Sequence, residues 1–185
     1  CMKEVEAKAK IDSFDGVKKK LNDLGCEFSE PLVQDDKIYL PNGEDIGNPR
    51  KGLVAMRIRN SNGAHIFNMK IQRENDLDNT EYESEVSNPD AIDAMLKNLE
   101  YYVASHVNKK RIKCKYKDME ICLDEVKDLG SFIEAEKLTE DEDSAKVQKE
   151  LFGFLMSIGV KKENQVTKGY DILMYEKNNS TLSTK

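Results

Sequence analysis

Along residues 3–11, Lys-Glu-Val-Glu-Ala-Lys-Ala-Lys-Ile, charged and apolar side chains alternate from Glu4 onward. A strand repeats every two residues, so Glu4, Glu6, Lys8 and Lys10 share one face, and Val5, Ala7, Ala9 and Ile11 share the other. The spacing then turns helical at Phe14, Val17, Leu21 and Leu24, with Ser13 as a fitting N-cap and Gly25 as a fitting residue just past the end. Strands are predicted over 32–40, 53–60, 64–72 and 80–86. Asn62-Gly63 is the two-residue turn of a hairpin whose paired positions sum to 125. Arg57 then lies opposite Asn68, and Arg57, Arg59 and Lys70 share a face. His65, Phe67 and Met69 go to the opposite face, where His65 reads as a packing residue. On the next strand Glu81, Glu83 and Glu85 share a side.

Asn88-Pro89 opens a helix by N-cap and first-turn chemistry, with Ile92, Met95, Leu96 and Leu99 facing inward. A long strand over 101–114 puts Ser105, Val107, Lys109, Arg111 and Lys113 on one side. A turn at Lys117-Asp118 leads to a strand over 119–125 and another over 131–137, where Phe132, Glu134 and Glu136 share a face. Helices over 143–158 and 170–176 follow, and 178–185 reads as a polar, disordered tail. Paired positions around Lys117-Asp118 sum to 235 for a two-residue loop. This sets Arg111 opposite Asp124 and sends Cys114 and Cys122 to opposite faces, with no disulfide between them.

Strands outnumber helices, and short turns join most of them. The expected class is α+β: an antiparallel sheet curled into a barrel with helices outside, in one domain over 2–177. The amphipathic helices cover the apolar strand faces. The other face then lines a tunnel of both charge signs, with Glu4, Glu6, Glu81, Glu83, Glu85, Asp124, Glu134 and Glu136 beside Lys8, Arg57, Arg59, Lys70, Lys109 and Arg111. Buried charges are costly without partners. The arrangement becomes economical if a polyanion sits on the cations and divalent metals sit on the carboxylates. Mg²⁺ and Mn²⁺ take oxygen ligands and bridge phosphates, and arginine forks grip phosphate oxygens in pairs.

Composition narrows the classes. With 185 residues and a net charge of −6, the chain is no nucleic-acid binder by bulk charge, although its 29 lysines and arginines allow a local basic cavity. No run approaches 18 apolar residues and the opening lacks signal-peptide character, so neither membrane nor nucleic acid is an expected partner and the cytoplasm is the expected location. Four cysteines show no zinc spacing, two histidines make no metalloprotease motif, and no G-x-G-x-x-G or P-loop is present.

Glu4-x-Glu6-x-Lys8 resembles the E-x-E-x-K signature of the CYTH superfamily, the triphosphate tunnel metalloenzymes. It is followed in family order by Arg57-x-Arg59, Asn68-x-Lys70, Glu83-x-Glu85, Lys109-Lys110-Arg111 and Leu123-Asp124-x-Val126-x-x-Leu129-Gly130-x-Phe132-x-Glu134-x-Glu136. The resemblance spans nearly the whole chain and implies an eight-stranded antiparallel tunnel that works on triphosphates with Mg²⁺ or Mn²⁺. Glu4, Glu6, Glu134 and Glu136, supported by Asp124, would hold metal. Lys8, Arg57, Arg59, Lys70, Lys109 and Arg111 would hold phosphate, with Lys8, Lys109 and Arg111 at the reaction centre. Glu83, Glu85, Tyr39 and Lys168 would have supporting roles. Two places depart from the family pattern. Lys37 stands where an acidic residue is usual, two before Tyr39, and Lys168-Gly169-Tyr170 has Lys for the usual Arg. The chain looks most like the class IV adenylyl cyclases, which convert ATP to cyclic AMP and pyrophosphate, and a homodimer is implied. The alternatives are a triphosphatase for inorganic, nucleoside or thiamine triphosphate and a non-catalytic polyphosphate- or nucleotide-binding module.

Overall fold

The computed structural model describes residues 3–140 and 143–180. Its elements in order are β1 (Lys3–Lys10), α1 (Phe14–Asp23), β2 (Leu32–Pro41), β3 (Val54–Ser61), β4 (Ala64–Gln72), β5 (Asp78–Glu85), α2 (Pro89–Asn98) and β6 (Tyr101–Tyr116). There follow β7 (Met119–Val126), β8 (Gly130–Thr139), α3 (Ser144–Ser157), a 3-10 turn at Lys162–Asn164, β9 (Gln165–Val166) and α4 (Tyr170–Ser180). The described residues fall into two compact units, one within Cys1–Leu32 and Lys110–Thr167, the other within Val33–Lys109 and Lys168–Lys185.

In the first unit the strand order runs from the end of β6 through β7, β8 and β1 to β9. The β1–β8 ladder pairs Glu6 with Glu136, Lys8 with Glu134 and Lys10 with Phe132. The β7–β8 ladder pairs Glu120 with Glu136, Cys122 with Glu134 and Asp124 with Phe132. Opposed residues of an antiparallel pair face the same way, so these rows lie on one sheet face. The other face carries Val5, Ala7, Ala9, Ile121, Leu123, Ile133 and Ala135, and α1 and α3 cover it with Val17, Leu21, Val147, Leu151 and Leu155. Each fully buried aliphatic side chain there contributes about 1.5–3 kcal/mol. Ser13 accepts from the Gly16 N–H at the start of α1, and Asp143 accepts from the Lys146 N–H at the start of α3. Gly159, at φ +94°, takes the left-handed conformation just beyond α3. Cys26, Cys114 and Cys122 are free thiols, so the expected absence of a disulfide between Cys114 and Cys122 is met. The short β9, which pairs with Lys8 and Ala9, has no counterpart in the sequence pattern.

In the second unit the order is β5, β4, β3, β2 and the start of β6. The hairpin register matches expectation: Arg57 pairs with Asn68 and Ala55 with Lys70. Asn62 and Gly63 both have positive φ, as this turn demands. Asn88 caps α2 through the Ala91 N–H, and Pro89 occupies its first turn. Leu96 and Ile92 pack against Tyr39, Ile58, Met56 and Phe67. Met95 and Leu99, expected inward, are 57% and 68% exposed. This ten-residue helix lies over β3 and β4, and the contact takes one row of side chains, Ile92 and Leu96. The helix expected over 170–176 continues to Ser180. The remainder of the expected tail, 181–185, lies outside the described residues. Among the described residues no helix is long and apolar enough to cross a membrane.

Candidate functional site: two charged clusters

The expected site residues gather into two clusters, one in each unit. In the first, alternation on β1 places Glu4, Glu6 and Lys8 on the face away from the helices. Lys8 is 2% exposed, with Nζ 3.2 Å from Glu6 Oε1 and 3.2 Å from Glu134 Oε1. Burial pulls its pKa down, but Glu6 and Glu134 outweigh that and hold the ammonium above the usual lysine range. Arg111, 6% exposed on β6, donates through Nε and Nη2 to the two oxygens of Asp124 at 2.7 and 2.5 Å. It donates also to Glu134 and lies 3.6 Å from Glu136. The bidentate Arg111–Asp124 pair fits the register that sets these two residues opposite each other.

The five carboxylates expected to hold metal therefore divide. Both oxygens of Asp124 accept from Arg111, and Glu134 bridges Arg111 and Lys8. Glu4, Glu6 and Glu136 instead bring one oxygen each within 4.8 Å of one another. Burial, set against Arg111 and reinforced by Glu4, Glu134 and Glu6, keeps the Glu136 carboxyl well above the usual carboxylate range. An all-oxygen set on which three carboxyl groups crowd fits a hard divalent cation such as Mg²⁺ or Mn²⁺, whose charge would relieve that repulsion. Cys122 lies beside this set, its sulfur 3.8 Å from Glu136 and 4.0 Å from Glu120.

The second cluster centres on Asp36, a residue the sequence reading left without a role. Asp36 is 3% exposed on β2, opposite Arg59 on β3. Arg59 donates to both its oxygens at 2.7 Å, Lys109 donates at 3.1 Å, and an Arg57 nitrogen lies 4.0 Å away. Burial pushes the Asp36 pKa up, but the Arg59 hydrogen bonds and the charges of Lys109, Arg57 and Arg59 hold it far below the usual range. Lys109 lies over the Tyr170 ring at 5.8 Å. The signal for Asp36 was its parity: Gln34, Asp36, Ile38 and Leu40 form the alternate, buried row of β2.

Lys70 pairs with Glu81, which also accepts from Asn68 Nδ2 at 3.0 Å. Burial raises the Glu81 pKa, while Lys70 and Arg57 lower it to about 2. Glu81 takes the orienting role expected of its neighbours; Glu83 and Glu85 lie in the exposed second half of β5. Tyr39, expected in a supporting role, is on the opposite face of β2, where its hydroxyl donates to Asp93 at 2.6 Å. Lys168 pairs with Glu176 of α4 at the surface.

Comparison with known proteins gives a consistent picture. The CYTH domain family profile matches residues 2–170. A Methanocaldococcus jannaschii protein named as a candidate adenylate cyclase is 31% identical over 172 residues, covering 91% of this chain and 97% of that one. The solved structure of a Pyrococcus horikoshii protein superposes with a TM-score of 0.78 at 26% identity, over 94% of this chain and 99% of the other. A Hippeastrum protein, described as a candidate adenylyl cyclase with a dominant triphosphatase activity, shares the fold at a TM-score of 0.62 and 15% identity, with 96% of each chain covered. These likenesses bear out the expected tunnel-type fold.

Proposed function

The chain belongs to the CYTH family, and from that premise we propose that it is a metal-dependent enzyme acting on triphosphates, cyclising ATP to cyclic AMP and pyrophosphate. One observation carries the metal-dependent triphosphate reading. Three carboxylate oxygens, from Glu4, Glu6 and Glu136, converge on the same sheet face as Lys8 and Arg111, where no core packing accounts for them. Glu4, Glu6 and Glu136 would hold a divalent cation there, which would supply charge neutralisation at phosphate oxygens.

This chain's own groups do the rest. Lys8 and Arg111 each keep their charge at any working pH and present it from buried, carboxylate-braced positions. Preorganised charge of this kind favours the transition state, because its orientation is fixed before reaction begins. In the second unit Arg57, Arg59, Lys70 and Lys109 form the phosphate grip, with Asp36 and Glu81 fixing their directions. In cyclisation the ribose 3′-hydroxyl releases its proton to solvent and its oxygen bonds to the α-phosphorus, as the bond to the bridging oxygen breaks and pyrophosphate leaves. The cations would take up the charge that develops on that leaving group. The cyclase assignment within the family rests on the archaeal relative, at 31% identity.

A triphosphatase is the second reading. It draws on the Lys168–Glu176 pair, which turns the lysine standing for the family's arginine toward a surface carboxylate. It draws also on the triphosphatase activity described for the Hippeastrum protein of the same fold. The test incubates the protein with ATP and Mn²⁺ and separates products chromatographically. Cyclic AMP with equimolar pyrophosphate supports the cyclase. ADP with orthophosphate, or much faster turnover of inorganic triphosphate, replaces it with the hydrolase.

A further inference from the structure

Asn68 is fully buried at the centre of β4, yet only half of its carboxamide is satisfied. Its Nδ2 donates to Glu81 Oε2 at 3.0 Å, whereas Oδ1 has no hydrogen-bond partner. The orientation is fixed chemically. A carboxylate accepts and never donates, so the nitrogen must face Glu81 and the oxygen must face elsewhere. A buried acceptor left without a donor costs about 1–3 kcal/mol, and native interiors rarely keep one without reason.

Its position says what the missing donor is for. Asn68 stands opposite Arg57 and shares its row of β4 with Lys70, so it sits among the cations of the second cluster. Gln34, 4% exposed in the same row of β2 as Asp36, repeats the situation: Nε2 donates to Ser61 Oγ at 3.3 Å, and Oε1 has no partner. A face built only to hold phosphate needs donors. An ionised phosphate oxygen can only accept, and an amide oxygen beside it is repulsive.

We propose that Asn68 Oδ1 accepts a hydrogen bond from an uncharged N–H or O–H group on the organic part of the substrate, making Asn68 a specificity residue that favours nucleoside triphosphates over inorganic triphosphate. This deepens the triphosphate reading above and rests on it. A site built to pair a substrate donor discriminates against compounds lacking it, because its own polar group is then stranded.

The experiment compares wild type with Asn68→Leu and Asn68→Asp. It measures kcat/KM for ATP and for inorganic triphosphate with Mn²⁺, and binding of a non-hydrolysable ATP analogue by calorimetry. Asn68→Leu should lower kcat/KM for ATP at least tenfold more than for inorganic triphosphate. Asn68→Asp keeps an acceptor oxygen while losing the donor to Glu81, and should preserve more of the preference for ATP. Equal losses on both substrates in Asn68→Leu would make Asn68 a mere brace for Glu81 and overturn this inference, leaving the triphosphate reading intact. Wild-type protein that neither binds nor turns over any triphosphate overturns both.

Discussion

Asp36→Asn tests the second cluster directly. The substitution keeps the shape of the side chain but removes the one negative charge on which Arg59, Lys109 and Arg57 converge. Lys109 is 6% exposed, and the side chains of Arg59 and Arg57 are 12% and 15% exposed, so solvent screens them poorly. Removing one partner of such a buried set costs about 3–5 kcal/mol, because charge is left uncompensated away from water. A chain of 185 residues has an unfolding entropy near 0.4 kcal/mol/K at about 2.1 cal/mol/K per residue, so the melting temperature should fall by about 8–13 °C. A polyanion seated on the freed cations should restore part of this. Millimolar inorganic triphosphate should therefore raise the melting temperature of the variant by more than it raises that of wild type. Scanning calorimetry with and without the ligand reads both quantities. A variant that melts within about 2 °C of wild type, or one that triphosphate stabilises no better, would refute the view that Asp36 neutralises and orients these cations.

Glu6→Gln should lower activity by about 10²-fold while leaving a folded protein, and excess chelator should abolish wild-type activity; full turnover in chelator would end the metal reading. Glu81 has a lowered folded pKa, so its contribution is complete above the ordinary glutamate range and is lost as pH falls from the ordinary glutamate value of 4.5 toward about 2. The margin in melting temperature of wild type over Glu81→Gln should accordingly shrink on acidification through that window, and a margin that grows would reverse the sign of the argument. Burial and the neighbouring Cys26 push the Cys114 thiol up to about 12, so at pH 8 an alkylating reagent should reach Cys114 only after denaturant is added. For the homodimer that the family implies, light scattering should give twice the 21.1 kDa of one chain; a mass of 21.1 kDa at all concentrations would reject it.

Strict alternation made much of the fold and of both clusters legible. On β1 every second residue from Glu4 is charged, and on β3 and β8 the pairs Arg57-x-Arg59 and Glu134-x-Glu136 mark one row, so parity assigned faces. The turns at Asn62-Gly63 and Lys117-Asp118 then fixed which residues stood opposite each other. Asp36 escaped because the register between β2 and β3 is set across the long connection 42–53, which no turn rule governs. The division among the carboxylates escaped for another reason. Glu134 and Glu136 are equivalent by pattern, and only three-dimensional placement shows that Arg111 and Lys8 engage Glu134 while Glu136 joins Glu4 and Glu6. Met95 and Leu99 misled because helical spacing marks a wide apolar stripe, whereas the sheet under α2 accepts a single row. β9, at two residues, is too short to carry a period.

The pairing of β1 with β8 has a consequence for the order in which the protein is made. Glu4 and Glu6 are synthesised well before the strand that carries Glu136 and closes their oxygen set, which comes more than a hundred residues later. At 5–20 residues per second that interval is roughly 7–25 s. During it β1 lacks its β8 partner, which has yet to be made. A strand with alternating charges is a poor template for its own aggregation, so the charged row of β1 also protects the nascent chain while it waits. Any product terminated before Gly130 would carry Glu4 and Glu6 and still lack the Glu136 oxygen that completes the set.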